Sequence, residues 1–450
     1  MINDAVPLSV DHDAASGLWT VTAPKDSLGP IAVADGQVLV PFDGRMTAFD
    51  ARDGGMLWRS PHPLGGTGLR LATAFTTAGQ HVVVPSRNPS PHGTEPIGLT
   101  CLRRTDGALA WIRDAAPLSG YLADGRTLVL WQSHPDAPRH VTAVDLVDGR
   151  RLWRHDYVDF GSVLLTQGRV IVTVGTQRRH YTRAYDARSG KQLWRTAMNR
   201  YPARLHLVAV DHLPGPVVFT AHPRRDTVQW FDPATGTALG SLTTGYPSTR
   251  WRGAGTDGEV PSAAWARVDD RRVAHLRPLG EIGEVGEVGG IGEGRVRTFF
   301  SPRRPLRLSD PQVVEVAGRL YTTVRLDGTH DDPAAIRGER IVSARLGGRG
   351  RPPRLTGLRW PLKVPRRERR NFYAHLVPAP GRLYALLIHR AAWAVVAVRG
   401  GRVLWRRGSR ATPPVPLGDR VLLLDDCGEH DHLRLVDGRT GATTRPCPRK

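Results

Sequence analysis

Short apolar stretches, each cut off by a polar turn containing glycine, recur along the whole chain. Gly168-Arg-Val-Ile-Val-Thr-Val174 and Arg420-Val-Leu-Leu-Leu424 are rich in aliphatic and β-branched residues over strand length, which predicts buried strands. Helical periodicity is scarce, and 49 glycines with 36 prolines suit many short strands joined by turns. One kind of strand pair is split by a glycine beside Arg, Gln or Asp, as in Ala34-Asp-Gly-Gln-Val-Leu-Val40, Ala123-Asp-Gly-Arg-Thr-Leu-Val129, Val316-Ala-Gly-Arg-Leu-Tyr321 and Ala379-Pro-Gly-Arg-Leu-Tyr384.

A second kind follows an apolar strand with Asp, then Gly four residues on, then Trp four residues after that. It is complete at Asp50, Gly54 and Trp58, at Asp145, Gly149 and Trp153, and at Asp186, Gly190 and Trp194. Asp232 with Gly236 lacks the Trp, Gly107 with Trp111 and Gly401 with Trp405 lack the Asp, and Asp437 with Gly441 ends the series. Asp13 with Gly17 reads as one more copy. The chemistry predicts a tight hairpin: Asp accepts hydrogen bonds from backbone amides one or two residues ahead, and Gly supplies a positive φ. The Trp on the following strand is placed to wedge against a neighbouring unit. Successive glycines from 54 to 236 are 53, 42, 41 and 46 residues apart, so the pattern is periodic. Two such strand pairs per period give the four strands of a propeller blade.

The Asp-x-x-x-Gly-x-x-x-Trp repeat resembles that of the PQQ-like, quinoprotein-type β-propeller family and its non-catalytic branch. The likeness runs from about residue 17 to 447 and is weak between about 245 and 360. WD-type repeats, the nearest rival, would need Gly-His starts and Trp-Asp ends that are missing. The expectation is an all-β chain: a single β-propeller of four-stranded antiparallel blades over 17–450, after an N-terminal extension 1–16. Eight blades are favoured within a range of seven to nine, with degenerate blades at about 245–360. Gly17-Leu-Trp-Thr-Val-Thr22 reads as an outer strand that pairs with the C-terminal segment and closes the ring, removing exposed strand edges.

The formal charge of +21 comes almost wholly from arginine, since only Lys25, Lys191, Lys363 and Lys450 are lysines. Such dominance, with abundant Ala, Gly and Pro, reads first as coding bias and second as an attraction for anionic partners. No apolar run approaches a membrane span, and Met1 to Asp13 lacks the layout of a secretory signal, so a cytoplasmic monomer is expected. Cys101, Cys427 and Cys447 are too few for a disulfide framework; only the last two could meet, and free thiols are expected.

Quinone-dependent relatives imply adjacent cysteines, a calcium site and a catalytic Asp. No adjacent cysteines occur and no calcium triad can be matched, so the resemblance carries a fold without its cofactor, and none is expected. Asp425-Asp-Cys-Gly-Glu-His-Asp-His432 gathers metal-capable side chains but fits no zinc spacing, and reads as an exposed polar hairpin. Arg349 to Arg370 is the most basic segment, and Arg366, Arg367, Arg369 and Arg370 are its candidate anion-binding residues, although few aromatics are interleaved. Residues 280–294, a run of Gly, Glu, Ile and Val, read as a low-complexity loop rather than a phosphate cradle. The histidines form no triad pattern. The expected function is therefore a non-enzymatic scaffold for a protein or small ligand, against two alternatives: an enzyme with a site in the central channel, or a basic module for an anionic partner.

Overall fold

The computed structural model describes residues 8–64, 75–87, 96–114, 118–132, 138–175, 180–198, 218–222, 227–243, 264–269, 272–279, 283–290, 296–300, 313–317, 319–325, 339–345, 356–357, 373–389, 392–410 and 412–444. The chain divides into a terminal unit, Met1–Lys25, Arg52–Gly54 and Arg250–Lys450, and a middle unit, Asp26–Ala51 and Gly55–Thr249. Strands begin with β1 (Ser9–Asp13) and β2 (Leu18–Pro24), which belong to the terminal unit.

The strands of the middle unit fall into sheets in chain order. The first holds β3 (Ala32–Ala34), β4 (Gln37–Phe42), β5 (Arg45–Asp50) and β6 (Met56–Pro63). The second holds β7 (Thr76–Ala78), β8 (His81–Arg87), β9 (Pro96–Arg103) and β10 (Leu109–Asp114). Next come β11 (Gly120–Asp124), β12 (Thr127–Gln132), β13 (Arg139–Asp145) and β14 (Arg151–Tyr157), then β15 (Asp159–Thr166), β16 (Arg169–Gly175), β17 (His180–Asp186) and β18 (Gln192–Met198). A three-stranded sheet, β19 (Val218–His222), β20 (Thr227–Phe231) and β21 (Ala238–Thr243), ends the unit.

The terminal unit continues with β22 (Ala264–Asp269), β23 (Arg272–Leu279), β24 (Gly283–Gly290) and β25 (Val296–Phe300). Then follow β26 (Val313–Val316), β27 (Arg319–Arg325), β28 (Glu339–Arg345) and β29 (Thr356–Gly357), and after them β30 (Tyr373–Ala379), β31 (Arg382–His389), β32 (Ala392–Arg399) and β33 (Arg402–Gly408). The last sheet mixes both chain ends in the order β34 (Val415–Leu417), β35 (Arg420–Asp426), β36 (His430–Asp437), β2, β1.

The described residues thus form nine antiparallel sheets, where eight blades were favoured. Residues 283–290, expected within a loop, are strand β24, paired with β23 and β25. The pairing expected of the N-terminal strand is present, with Thr20 opposite Arg434 and Thr22 opposite His432. β1 adds a fifth strand, so residues 9–13 of the expected extension belong to a sheet.

Blade packing follows from two-sided burial. Leu128, Val129, Leu130, Val170, Ile171 and Val172 are all buried, because each second strand has a neighbouring sheet on either face. The apolar clusters lie between successive sheets: Leu39, Met46 and Ala48 against Val82, Val84 and Leu102 in one, and Tyr384, Val395 and Ala397 against Val421, Leu423 and Val436 in another. First strands adjoin first strands, β3 with β7, β7 with β11 and β11 with β15 in the middle unit, and β22 with β26, β26 with β30 and β30 with β34 in the terminal unit.

The Asp–Gly–Trp repeat builds the joint between sheets. At Asp145 the backbone N–H bonds the Arg150 carbonyl at 2.8 Å and the Gly149 N–H bonds the Asp145 carbonyl at 2.9 Å, while Oδ1 accepts the Val147 N–H at 2.9 Å. Asp186 and Asp437 accept amides two and three residues ahead, one residue farther than expected. The Gly at the end of the turn has φ between 70° and 76° at positions 54, 107, 149, 190, 236 and 441. It leaves room for the indole of the preceding sheet: a Cβ on Gly190 would lie 2.6 Å from Trp153 Cγ, and one on Gly441 2.8 Å from Trp405 Cγ. Each indole N–H then bonds a carbonyl of the same turn, from Trp58 to Arg104 at 2.8 Å, Trp111 to Leu146, Trp153 to Ala187 and Trp194 to Pro233 at 2.9 Å, and Trp405 to Gly438 at 3.0 Å. Gly401 is different: with Gly400 it makes a two-residue turn between β32 and β33, both at positive φ.

Trp153→Ala is expected to cost about 3 to 5 kcal/mol, as for other buried aromatics, and Trp153→Phe about 1 to 2 kcal/mol for the orphaned Ala187 carbonyl. Gly190→Ala should cost at least about 1 to 3 kcal/mol for its left-handed backbone alone. Urea unfolding of the three variants measures all of these, and an unaltered midpoint in any of them would contradict the joint described.

Candidate functional site

Charged groups converge inside the last sheet. β36 lies between β35 and β2, and its side chains from Asp431 to Val436 are buried. Asp425 and His432 are cross-strand partners, as are Leu423 and Arg434. Arg434 is fully buried and Asp425 is 2% exposed; Arg434 Nε lies 3.0 Å from Asp425 Oδ2, and Nη2 donates to Cys427 Sγ at 3.2 Å. Arg410 Nη1 donates to Asp431 Oδ2 at 2.6 Å, and His432 Nδ1 meets Thr22 Oγ1 at 3.0 Å. The expectation of an exposed polar hairpin at 425–432 holds at its tip, where Glu429 and His430 are exposed, and is corrected at Asp425, Asp431 and His432, which are buried.

Burial lifts the Asp425 carboxyl to about 6, against the pull of Arg434 and Arg407. A carboxyl poised near neutrality is what proton transfer requires. Here it is sealed beneath the sheet, and its work is to join β35 to β36. Among the described residues no three His, Cys, Asp or Glu side chains are grouped to hold a metal. Cys427 is disulfide-bonded, which corrects the free-thiol expectation there, while Cys101 is buried and free, its thiol pushed up to about 12 by burial. The sequence has no adjacent cysteines of the kind quinone-dependent relatives imply, and the buried acid Asp425 faces guanidinium groups.

The two ends of the sheets differ. First and second strands are joined by two residues, at 35–36, 79–80, 125–126, 167–168, 380–381 and 418–419. Third and fourth strands, at the same end, are joined by the turn that closes on Gly54, Gly107, Gly149, Gly190 or Gly236, by Gly400-Gly401, or by 291–295 and 346–355. At the opposite end, second and third strands are separated by 43–44, 88–95, 133–138, 176–179, 326–338 or 427–429, and successive sheets by 64–75, 115–119, 158, 199–217 or 409–414. In the middle unit one end is uniform, and length varies at the other. The candidate residues Arg366, Arg367, Arg369 and Arg370 lie outside the described residues.

Sequence reasoning missed a second donor in the joint. The residue two after the Trp reaches the glycine carbonyl of the next turn: Arg113 to Gly149 at 2.9 Å, His155 to Gly190 at 3.0 Å, Thr196 to Gly236 at 3.1 Å and Arg407 to Gly441 at 2.7 Å. A polar donor at that spacing was the available signal. His155 also packs against the Trp153 and Tyr185 rings, so it serves the joint.

The model of the family described as outer membrane protein assembly factor BamB matches residues 7–121 and 137–278. The chain belongs to this family of PQQ-type repeats. No curated protein matches the chain significantly. Among solved structures, the quinohemoprotein alcohol dehydrogenase from Comamonas testosteroni is similar at 10% identity and a TM-score of 0.46, covering 95% of this chain and 76% of that one. The β-propeller domain of the Trilobed protease from Pyrococcus furiosus is similar at 10% identity and 0.38, covering 73% and 95%. A eukaryotic initiation factor is similar at 10% identity and 0.48, covering 90% and 89%. Among the described residues of this family member, no helix is long and apolar enough to cross a membrane.

The sign of the Asp425 shift fixes a pH test. A carboxyl whose folded pKa is raised contributes stability that is present below its unfolded value and lost as pH rises through about 6. Asp425→Asn mimics the protonated form, so relative to the wild type it should gain up to about 3 kcal/mol between pH 4 and pH 7. Parallel unfolding curves at the two pH values check this, and an equal difference at both would contradict it.

Proposed function

We propose that this propeller is a non-catalytic scaffold that binds a protein or small ligand at the end of its sheets where the strand connections vary. The observation that supports this is the asymmetry between the ends in the middle unit: two-residue turns and the turns that close on Gly54 to Gly236 are short, whereas the other end spends many residues on connections that the blades do not need. Loops carried by a rigid scaffold are where binding residues concentrate. The net charge of +21 supports a second reading, an anionic partner held by Arg366, Arg367, Arg369 and Arg370. A disulfide at Cys427 persists best in an oxidising compartment, so the cytoplasmic expectation is not carried forward.

Random peptides displayed on phage and selected against the full chain provide the probe. Replacing residues 88–95 with the Asp-Gly pair that joins β4 to β5 should weaken a substantial share of selected binders by about tenfold or more, at an affinity difference of about 1.4 kcal/mol. Changing Gly125-Arg126 to Asn-Gly should not. Binders indifferent to every change at the variable end would overturn the proposal, as would alcohol-dependent dye reduction on adding pyrroloquinoline quinone and calcium. Retention on heparin that falls when the four arginines become Ala would favour the anionic reading.

A further inference from the structure

In the middle unit an arginine follows the Trp of the joint in three fourth strands, as Arg59 in β6, Arg154 in β14 and Arg195 in β18. Arg59 is answered by Asp43 at 2.9 Å and Arg154 by Asp156 at 2.7 Å. Across the ladder each of these two faces a threonine, Thr47 or Thr142, and the equivalent Ile112 of β10 faces Thr100. The sheet β15–β18 departs from this pattern, because Arg195 lies directly opposite Arg183 of β17. Like charges set opposite each other on antiparallel strands are destabilising.

Neither guanidinium makes an ion pair or a hydrogen bond among the described residues, and Arg183 Nε is buried without a hydrogen-bond partner. Both gather round one ring instead: Arg195 Cζ lies 3.6 Å from the Tyr181 centroid and Arg183 Cζ 6.0 Å from it. The ring face holds the Arg195 fork in place and leaves its charge unneutralised. Arg183 shares a face of β17 with Tyr185, which packs against Trp153 and His155 of β14. Tyr157 of the same strand adjoins Arg183; burial raises its phenol against the pull of that cation, so it stays a neutral hydroxyl. Arg195 is exposed and Arg183 half-buried, so the pair is open to solvent at the border of these two sheets.

We propose that Arg183 and Arg195 form a binding site for a dianionic phosphate group. Two guanidinium forks on facing strands converge on one anion, and its two charges match theirs, whereas a lone carboxylate would leave one cation unanswered. The anion turns the cross-strand repulsion into attraction, which accounts for an arginine where the neighbouring sheets have threonine. The site uses neither the connections at the variable end nor Arg366, Arg367, Arg369 and Arg370, so it stands or falls separately from both readings above.

The test titrates the full chain with phenyl phosphate by calorimetry. Saturable binding is expected, and benzenesulfonate, with the same ring and a single charge, should bind about tenfold or more weakly. Arg183→Thr installs the residue found at the equivalent place in the three preceding sheets. It should abolish the site and, without ligand, melt no lower than the wild type, because the facing charges are gone. Arg195→Gln should weaken binding about tenfold or more, whereas Arg154→Gln should leave it unchanged. Inorganic phosphate binding as tightly as phenyl phosphate would identify the free ion as the ligand, and tighter binding of phenyl phosphate would identify an ester. No saturable binding, equal binding of benzenesulfonate, or undiminished binding by Arg183→Thr would overturn the proposal. So would an equal loss in Arg154→Gln and Arg195→Gln, the mark of diffuse attraction to a basic surface.

Discussion

An indole laid across a left-handed glycine is the constraint on which the sheets depend. The Trp of one repeat enters the Asp–Gly turn of the next because that turn has no Cβ to meet it, and its N–H takes a carbonyl that the hairpin leaves unpaired. One residue farther along the same side of the strand, the donor at Arg113, His155, Thr196 or Arg407 takes the glycine carbonyl. The joint thus combines apolar area with two directional bonds. It fixes the angle and register between neighbouring sheets, whereas apolar contact alone would let them slide. Because it is built from three spaced residues, it can recur at each joint without similarity elsewhere.

The arginine surplus has a structural meaning of the same kind. Arg104 donates to the Gly79 and Ala34 carbonyls at 3.1 Å each and pairs with Asp35; Arg382 donates to the Asp419 carbonyl at 3.1 Å and its carboxylate at 3.0 Å; Arg420 donates to the Gly17 and Ser16 carbonyls at 2.7 and 3.0 Å. Each joins turns that belong to different strands pairs, at the uniform end of the sheets. A guanidinium has five donors in a fixed fork and can satisfy two carbonyls at once, which the compact ammonium of lysine does less well. Part of the positive charge therefore serves backbone groups within the chain, and the formal total overstates what is offered to an anionic partner.

What was legible in the sequence was local. Asp, Gly and Trp at fixed spacing declare a hairpin and its following strand because turn chemistry depends on a few adjacent residues. Gly107 lacked the Asp and kept the full turn, whereas at Gly401, with the same spacing to Trp405, the hairpin shortened to two glycines. β24 was hidden because Gly283-Glu-Val-Gly-Glu-Val-Gly-Gly290 places its valines three apart, which breaks the alternation that marks a strand. The burial of Asp425, Asp431, His432 and Arg434 was illegible for a different reason. Burial there depends on contacts distant in sequence, such as Thr22 on His432, and the run of polar residues carries no sign of them.

The same long-range pairing sets how the last sheet must form. β2 is bound to β36 through its backbone, and polar bonds reinforce the seam: Thr22 with His432, Thr20 with Thr444 at 2.7 Å, the Lys25 N–H with the Glu429 carbonyl at 3.0 Å, and Arg420 with the Ser16–Gly17 turn. None of these can form until the final residues exist, and until then β36 has an open edge beside buried charges. Pairing over such sequence separation is slow because the loop entropy is lost before contacts compensate it. A polar seam suits that situation: an apolar β36 edge would attract any exposed strand, whereas Thr20, Thr22 and Lys25 of the N-terminal segment meet particular partners at Thr444, His432 and Glu429. The polar seam is thus best understood as specificity for β2, while the buried pairs Arg410–Asp431 and Arg434–Asp425 hold the C-terminal segment itself together.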